Sequence, residues 1–168
     1  EEPPLLRAVD RIVRGVEMNA VEGVPFIAWS EESGRTLDAL FAKVRQLNER
    51  VPIEHALFIV EKIAAALDHA YNTTVDGERT LHGLLWPGFV SLSDDGEARL
   101  AGFGLAPAFY SAFEKPRFVK EITPYLAPGE RSGKRIGQRS DIFSVGVILF
   151  ELLTGRLPSP SDPLEDVS

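Results

Sequence analysis

The sequence contains no cysteine, which excludes a disulfide framework, a thiolate metal centre and a cysteine nucleophile. It has no run near the ~18 apolar residues needed to cross a bilayer. Its first residues, Glu1, Glu2, Pro3 and Pro4, lack the basic-then-apolar order of a secretory signal. No membrane contact is expected of this segment, and the cytoplasm is the expected location. Positive charge is scarce as well. Eighteen Lys and Arg against 25 Asp and Glu leave a net charge of −7, a field that repels nucleic-acid backbones and anionic headgroups. The one basic cluster, Arg131, Lys134, Arg135 and Arg139, has no interleaved aromatics and reads as a solvated surface, so no nucleic-acid partner is expected.

What is present suits one globular domain: 168 residues, 44% hydrophobic and 26% charged. Gly23 to Trp29 reads as a strand after the turn at Glu22-Gly23. Beyond the turn from Ser30 to Gly34, Thr36 is placed to cap a short helix with Leu37, Leu40, Phe41 and Val44 at helical spacing. Pro52 suits a first helical position, and Ile53, Leu57, Val60, Ile63, Ala64, Leu67 and Tyr71 then recur at threes and fours, predicting a long helix. A turn at Asp76-Gly77 follows. Phe89 to Leu92 and Ala98 to Ala101, split by Ser93-Asp94-Asp95-Gly96-Glu97, have the pattern of a hairpin. Leu105 to Gly137 carries four prolines and no sustained period, which predicts a long surface excursion. From Ser140 to Leu153 a helix apolar almost all round is expected in the middle of the domain, ended by Gly155. Pro158 to Ser168 reads as a loop or tail.

Several short motifs occur along this order. His82-Gly83-Leu84-Leu85-Trp86-Pro87-Gly88-Phe89-Val90 is similar to the catalytic loop of protein kinases, Leu100-Ala101-Gly102-Phe103-Gly104 to their magnesium-binding loop, and Thr123-Pro124-Tyr125-Leu126-Ala127-Pro128 to the end of their activation segment. Asp141-Ile142-Phe143-Ser144-Val145-Gly146 resembles the start of the central helix, and the residues that follow, to Pro158, resemble bacterial, eukaryotic-like Ser/Thr kinases. Motifs in order from Gly23 to Pro158 are far more specific than any one alone. The resemblance implies an α+β, mainly helical fold. Residues 1–30 would be the end of the small lobe and the hinge strands, residues 31–158 the large lobe, incomplete at its C-terminal end, and residues 159–168 a tail.

It also implies which positions have changed. Phosphoryl transfer requires a carboxylate to orient the nucleophile and oxygen ligands for magnesium. The matching positions hold Leu84 for the catalytic aspartate, Trp86 for the lysine, Phe89 for the asparagine ligand and Gly102 for the magnesium-binding aspartate. Gly83 replaces the arginine that would pair with a phosphorylated activation segment, and Glu130 stands one place after the position, Gly129, of that segment's terminal glutamate. The structural positions are kept: His82 and Phe103 in the stack that links the lobes, Asp141 tying the loop to the central helix, and Gly104 and Gly146 allowing close packing or special backbone angles.

A catalytically inactive pseudokinase is therefore expected, with no catalytic residues, no metal, no cofactor and no ATP binding, acting as a regulatory or scaffolding module in signalling through a protein partner. The alternative is a nucleotide-binding switch or an atypical Ser/Thr kinase that uses other groups. Leu84, Leu85, Trp86 and Phe89 make the cleft floor apolar, and such a floor either packs internally, the reading favoured because an exposed patch invites aggregation, or receives an apolar partner segment. Phe109, Tyr110, Phe113 and Phe118 either fold back over that cleft or anchor a protein interface.

Overall fold

The computed structural model describes residues 12, 15–21, 24–29, 34–75, 78–94, 96–112, 119–131 and 137–159. The turns at Glu22-Gly23 and Asp76-Gly77, most of the turn before Gly34, Lys134 and Arg135 of the basic cluster, Phe113, Phe118 and the tail from residue 160 lie outside them. Strands β1 (Gly15–Val21) and β2 (Val24–Trp29) pair antiparallel as a separate ribbon. Strand β3 (Arg35–Thr36) leads directly into helix α1 (Leu37–Leu47), and α2 (Ile53–Asn72) is the longest helix. The short pair β4 (Thr74–Val75) and β5 (Glu78–Arg79) follows it. Then come β6 (Val90–Leu92) and β7 (Ala98–Leu100), helices α3 (Leu105–Ala112), α4 (Val119–Ile122) and α5 (Pro128–Arg131), and α6 (Gln138–Thr154).

The hairpin forms as its sequence predicts. Val90 pairs with Leu100 and Leu92 with Ala98, and β3 adds to the other edge of β6 to give the order β3-β6-β7. Gly96, at φ 86°, closes the turn by donating its N–H to the Ser93 carbonyl at 3.0 Å. Ile12 is buried and bridges Leu100 in parallel.

The main core lies where α2 crosses α6 under the β6–β7 hairpin. Here the helical pattern needs correction. The buried face of α2 is Ala56, Ile59, Ile63, Ala66, Leu67 and Ala70, whereas Ile53 and Leu57 are exposed. The alanines explain the choice, because small side chains let α6 approach closely along that stripe, and the larger residues at the start of α2 are left on another face. Helix α6 is also less evenly buried than its composition suggests: Val145, Val147, Ile148 and Leu152 are in the core, but Ile142 and Leu153 are exposed among the described residues.

Three local expectations shift. Thr36 occupies the N-cap position of α1, yet its side chain makes no capping hydrogen bond. Pro52 lies one residue before α2 rather than within it. The stretch from Leu105 to Gly137 is not a plain loop, since it contains α3, α4, α5 and a single 3-10 turn at Thr123–Tyr125. Pro107 hid α3, but it stands in the first turn, where no intrahelical N–H is required. Among the described residues no helix is long and apolar enough to cross a membrane.

Candidate functional site: a loop with two neighbourhoods

The segment from Leu81 to Trp86 has no regular secondary structure, so its backbone amides need partners from elsewhere. Asp141, in the first turn of α6, supplies them: its carboxylate accepts the His82 N–H at 3.0 Å and the Gly83 N–H at 2.8 Å. Asp141 is 4% exposed, and burial raises its pKa while these two hydrogen bonds pull it back down. The His82 ring is fully buried. Its Nε2 lies 2.7 Å from the Ala101 carbonyl and its Nδ1 accepts the Leu84 N–H at 3.3 Å, so the proton sits on Nε2 and the ring is neutral. Burial lowers its pKa to about 4. Phe103 meets the ring edge-on, with centroids 4.8 Å apart. The side chains of His82, Phe103 and Asp141 thus join the loop to the β7 exit and to α6.

Beside this polar neighbourhood lies an apolar one. Leu84 is 2% exposed and clusters with Ala106, Ile122 and Leu126, with Trp86, Phe89 and Phe109 packed around them. The Phe89 ring is edge-on to Trp86 at 6.0 Å and tilted 5.8 Å from His82. Gly102, at φ 90°, is what allows this arrangement: a Cβ there would sit 2.8 Å from the Phe89 ring. A Cβ at Gly88 would be 2.2 Å from the Trp86 indole. Leu84, Trp86, Phe89 and Gly102 are therefore gathered in one place, and the space around Gly102 is filled by the chain's own aromatic ring. Trp86 Nε1 and Thr123 Oγ1 are buried without hydrogen-bond partners among the described residues.

Of the remaining sequence candidates, Gly104 has φ 83°, a backbone angle that favours glycine. Gly146 has no positive φ, and a Cβ there would meet no atom within 4 Å among the described residues outside its own helix turn. Phe109 packs onto the Leu84 cluster from α3, and Tyr110, partly exposed, donates its hydroxyl to the Gly83 carbonyl at 3.3 Å. Of the two readings open for these aromatics, folding back over the loop describes Phe109 and Tyr110.

A second polar cluster has no counterpart among the sequence motifs. Glu151 of α6, 1% exposed, accepts a hydrogen bond from the Tyr125 hydroxyl and one from Arg45 Nη1 at 3.0 Å. Ser144 Oγ donates to the Tyr125 carbonyl at 2.7 Å. The available signal was one carboxylate in the apolar run from Ile148 to Leu153, since a buried charge requires a partner. Glu130 is buried too. Its carboxylate accepts the Ala127 N–H at 2.7 Å, and burial, with the Asp141 charge acting in the same direction, lifts its pKa to about 7. No three His, Asp or Glu side chains among the described residues gather into a metal-binding group.

Comparison with known proteins places this geometry. Residues 12–167 match the protein kinase domain. The probable serine/threonine-protein kinase PknB of Lactococcus lactis is 30% identical over 119 residues, covering 69% of this chain and 18% of that protein. A probable inactive receptor kinase of Arabidopsis thaliana is 35% identical over 98 residues, covering 58% of this chain and 14% of that protein. The crystal structure of the Mycobacterium tuberculosis PknI kinase domain superposes with a TM-score of 0.71 at 24% identity, over 96% of this chain and 60% of that one. The chain thus spans only a minor part of these curated relatives. With the family match running along nearly all of it and the α+β architecture shared, the chain belongs to the protein kinase domain family and has the fold of the bacterial, eukaryotic-like kinases.

Proposed function

We propose that this segment is a catalytically inactive kinase-like module, a pseudokinase, that works by binding protein partners in signalling. The contact between Phe89 and Gly102 carries the reading. By the family resemblance these two positions would hold magnesium ligands, and here one has no side chain while the other fills the space with a phenyl ring. Leu84, at the position of the catalytic aspartate, is sealed among Ala106, Ile122 and Leu126, where it can neither orient a hydroxyl nor accept a proton. Removal of base and metal ligands together disables phosphoryl transfer as a unit. By the same resemblance residues 1–30 form the end of the small lobe and the hinge strands, and no nucleotide binding is expected of the segment.

The test is a thermal-melt titration with ATP and with ADP, each with and without magnesium, on the longest soluble protein containing this segment. A ligand that binds only the folded state stabilises it by about 2.7 kcal/mol at a hundred times its dissociation constant. No shift of the midpoint at millimolar nucleotide is the expected result. A magnesium-dependent rise would overturn the reading and return the chain to nucleotide chemistry.

A further inference from the structure

The chain between the 3-10 turn at Thr123–Tyr125 and α5 is held at two places. Upstream, Tyr125 is anchored on α6: its hydroxyl donates to Glu151, and its carbonyl accepts from Ser144 Oγ at 2.7 Å. Downstream, Glu130 folds back on the turn, its carboxylate accepting the Ala127 N–H at 2.7 Å while its own N–H reaches the Ala127 carbonyl at 2.9 Å. Between these points lies Leu126, buried against Leu84, Ala106 and Ile122.

Glu130 is 7% exposed and has no ion pair among the described residues. Arg131, beside it in α5, directs Nε to the Leu126 carbonyl at 2.9 Å and Nη2 to the Pro124 carbonyl at 3.2 Å. From α6 the group that acts on Glu130 is Asp141, a second buried carboxylate. From α3 it is Tyr110. Asp141 holds the Gly83 N–H at 2.8 Å and Tyr110 the Gly83 carbonyl at 3.3 Å. Burial, with the charges of Glu130 and Asp141 acting in the same direction, raises the pKa of Tyr110, so the three groups influence one another around one peptide. His82, the other titratable side chain of that loop, is neutral above about pH 4. The two carboxylates are not equivalent. Asp141 accepts two backbone N–H groups, which favour its anion, whereas Glu130 accepts one. Neighbouring buried anions repel, so in this arrangement Glu130 is the group that keeps a proton.

We propose that Glu130 is a proton-operated latch: protonated, it holds the stretch from Leu126 to Arg131 closed over Leu84, and ionised, it turns to solvent and lets that stretch swing away about the anchor at Tyr125. Closed, the carboxyl ionises near pH 7, and freed into water near 4.5. Opening is therefore suppressed in acid, grows as pH rises between those values, and levels off above them, where the closed form is ionised too. The state of one proton then decides whether the apolar cluster at Leu84 is covered. This device goes beyond the reading of the chain as an inactive module and does not depend on it, since nucleotide titration tests the loop and pH tests Glu130.

The test is backbone amide hydrogen exchange as a function of pH, corrected for the intrinsic pH dependence of exchange, on the longest soluble protein containing this segment. Amides of residues 126–131 are expected to open more readily than those of α2, with an opening constant that rises about tenfold or more from about pH 5 to about pH 7 and then levels off. Glu130→Gln keeps an acceptor for the Ala127 N–H and cannot ionise, so it should abolish the rise; a merely structural role would change protection equally at every pH. Carbon-13 NMR of the Glu130 carboxyl in the parent gives the midpoint directly and decides the matter if the variant does not fold. Opening no easier than that of α2, opening independent of pH in the parent, a rise that persists in Glu130→Gln, or a carboxyl midpoint near 4.5 would each overturn the proposal.

Discussion

His82 and Gly83 sit next to Leu84 in one loop without regular structure, yet the two sides of that loop are built on opposite principles. On one side the groups are polar, buried and paired: the Asp141 carboxylate holds two amides and the His82 ring bridges to Ala101. On the other they are apolar and fill space, with Leu84 in its cluster and Phe89 against Gly102. Buried polar groups are costly when a partner is lost, whereas apolar contacts depend on volume. The polar side thus fixes the loop's path, and the apolar side decides what can occupy the space beside it.

The comparison can be broken most severely at Asp141. Asp141→Ala strands two buried amide donors at about 1–3 kcal/mol each, so chemical denaturation should show a loss of roughly 2–6 kcal/mol, while Asp141→Asn, which keeps one acceptor, should lose less. The apolar side is next. Gly102→Asp forces a side chain into the Phe89 ring at a backbone angle that disfavours it, at roughly 2–5 kcal/mol. Combining it with Phe89→Asn should recover part of that loss, a coupling a double-mutant cycle would detect.

Titration separates the polar groups from one another. Folded His82 takes up its proton near pH 4 and unfolded His82 near 6.5, so its contribution to stability is lost as pH falls through that window. Glu130 acts in the opposite sense. Folded, it ionises near pH 7, and unfolded near 4.5, so stability decreases as pH rises between those values. Glu130→Gln removes the second effect and keeps an acceptor for the Ala127 N–H. Relative to the variant, the parent should gain on the order of 2 kcal/mol on acidification from pH 7 to 4.5, solvent screening included, measured by denaturation at each pH. The smallest effect is expected at the seam. Tyr110→Phe deletes the hydrogen bond to the Gly83 carbonyl and should cost about 1 kcal/mol, with faster amide exchange in α3.

Much of this was legible in the sequence because it depended on local patterns. The hairpin showed in its alternation and turn, α2 in its period, and Asp141 in the motif that carries it. What stayed hidden depended on tertiary geometry. The period of α2 fitted several faces, and only the approach of α6 selected the alanine-bearing one. The cluster around Glu151 draws Arg45, Tyr125 and Glu151 from distant parts of the chain, and no spacing rule connects them. The sequence indicated that the floor near Leu84 is apolar, but the partner of Phe89 is a glycine, whose role as empty space cannot be seen until the ring is placed.

That interlock couples residues 89 and 102. A side chain at residue 102 collides with the Phe89 ring, and a smaller side chain at residue 89 alone leaves a hole beside Trp86. Only a paired substitution could exchange one packing for another without passing through a less stable single variant, so the two positions behave as one unit.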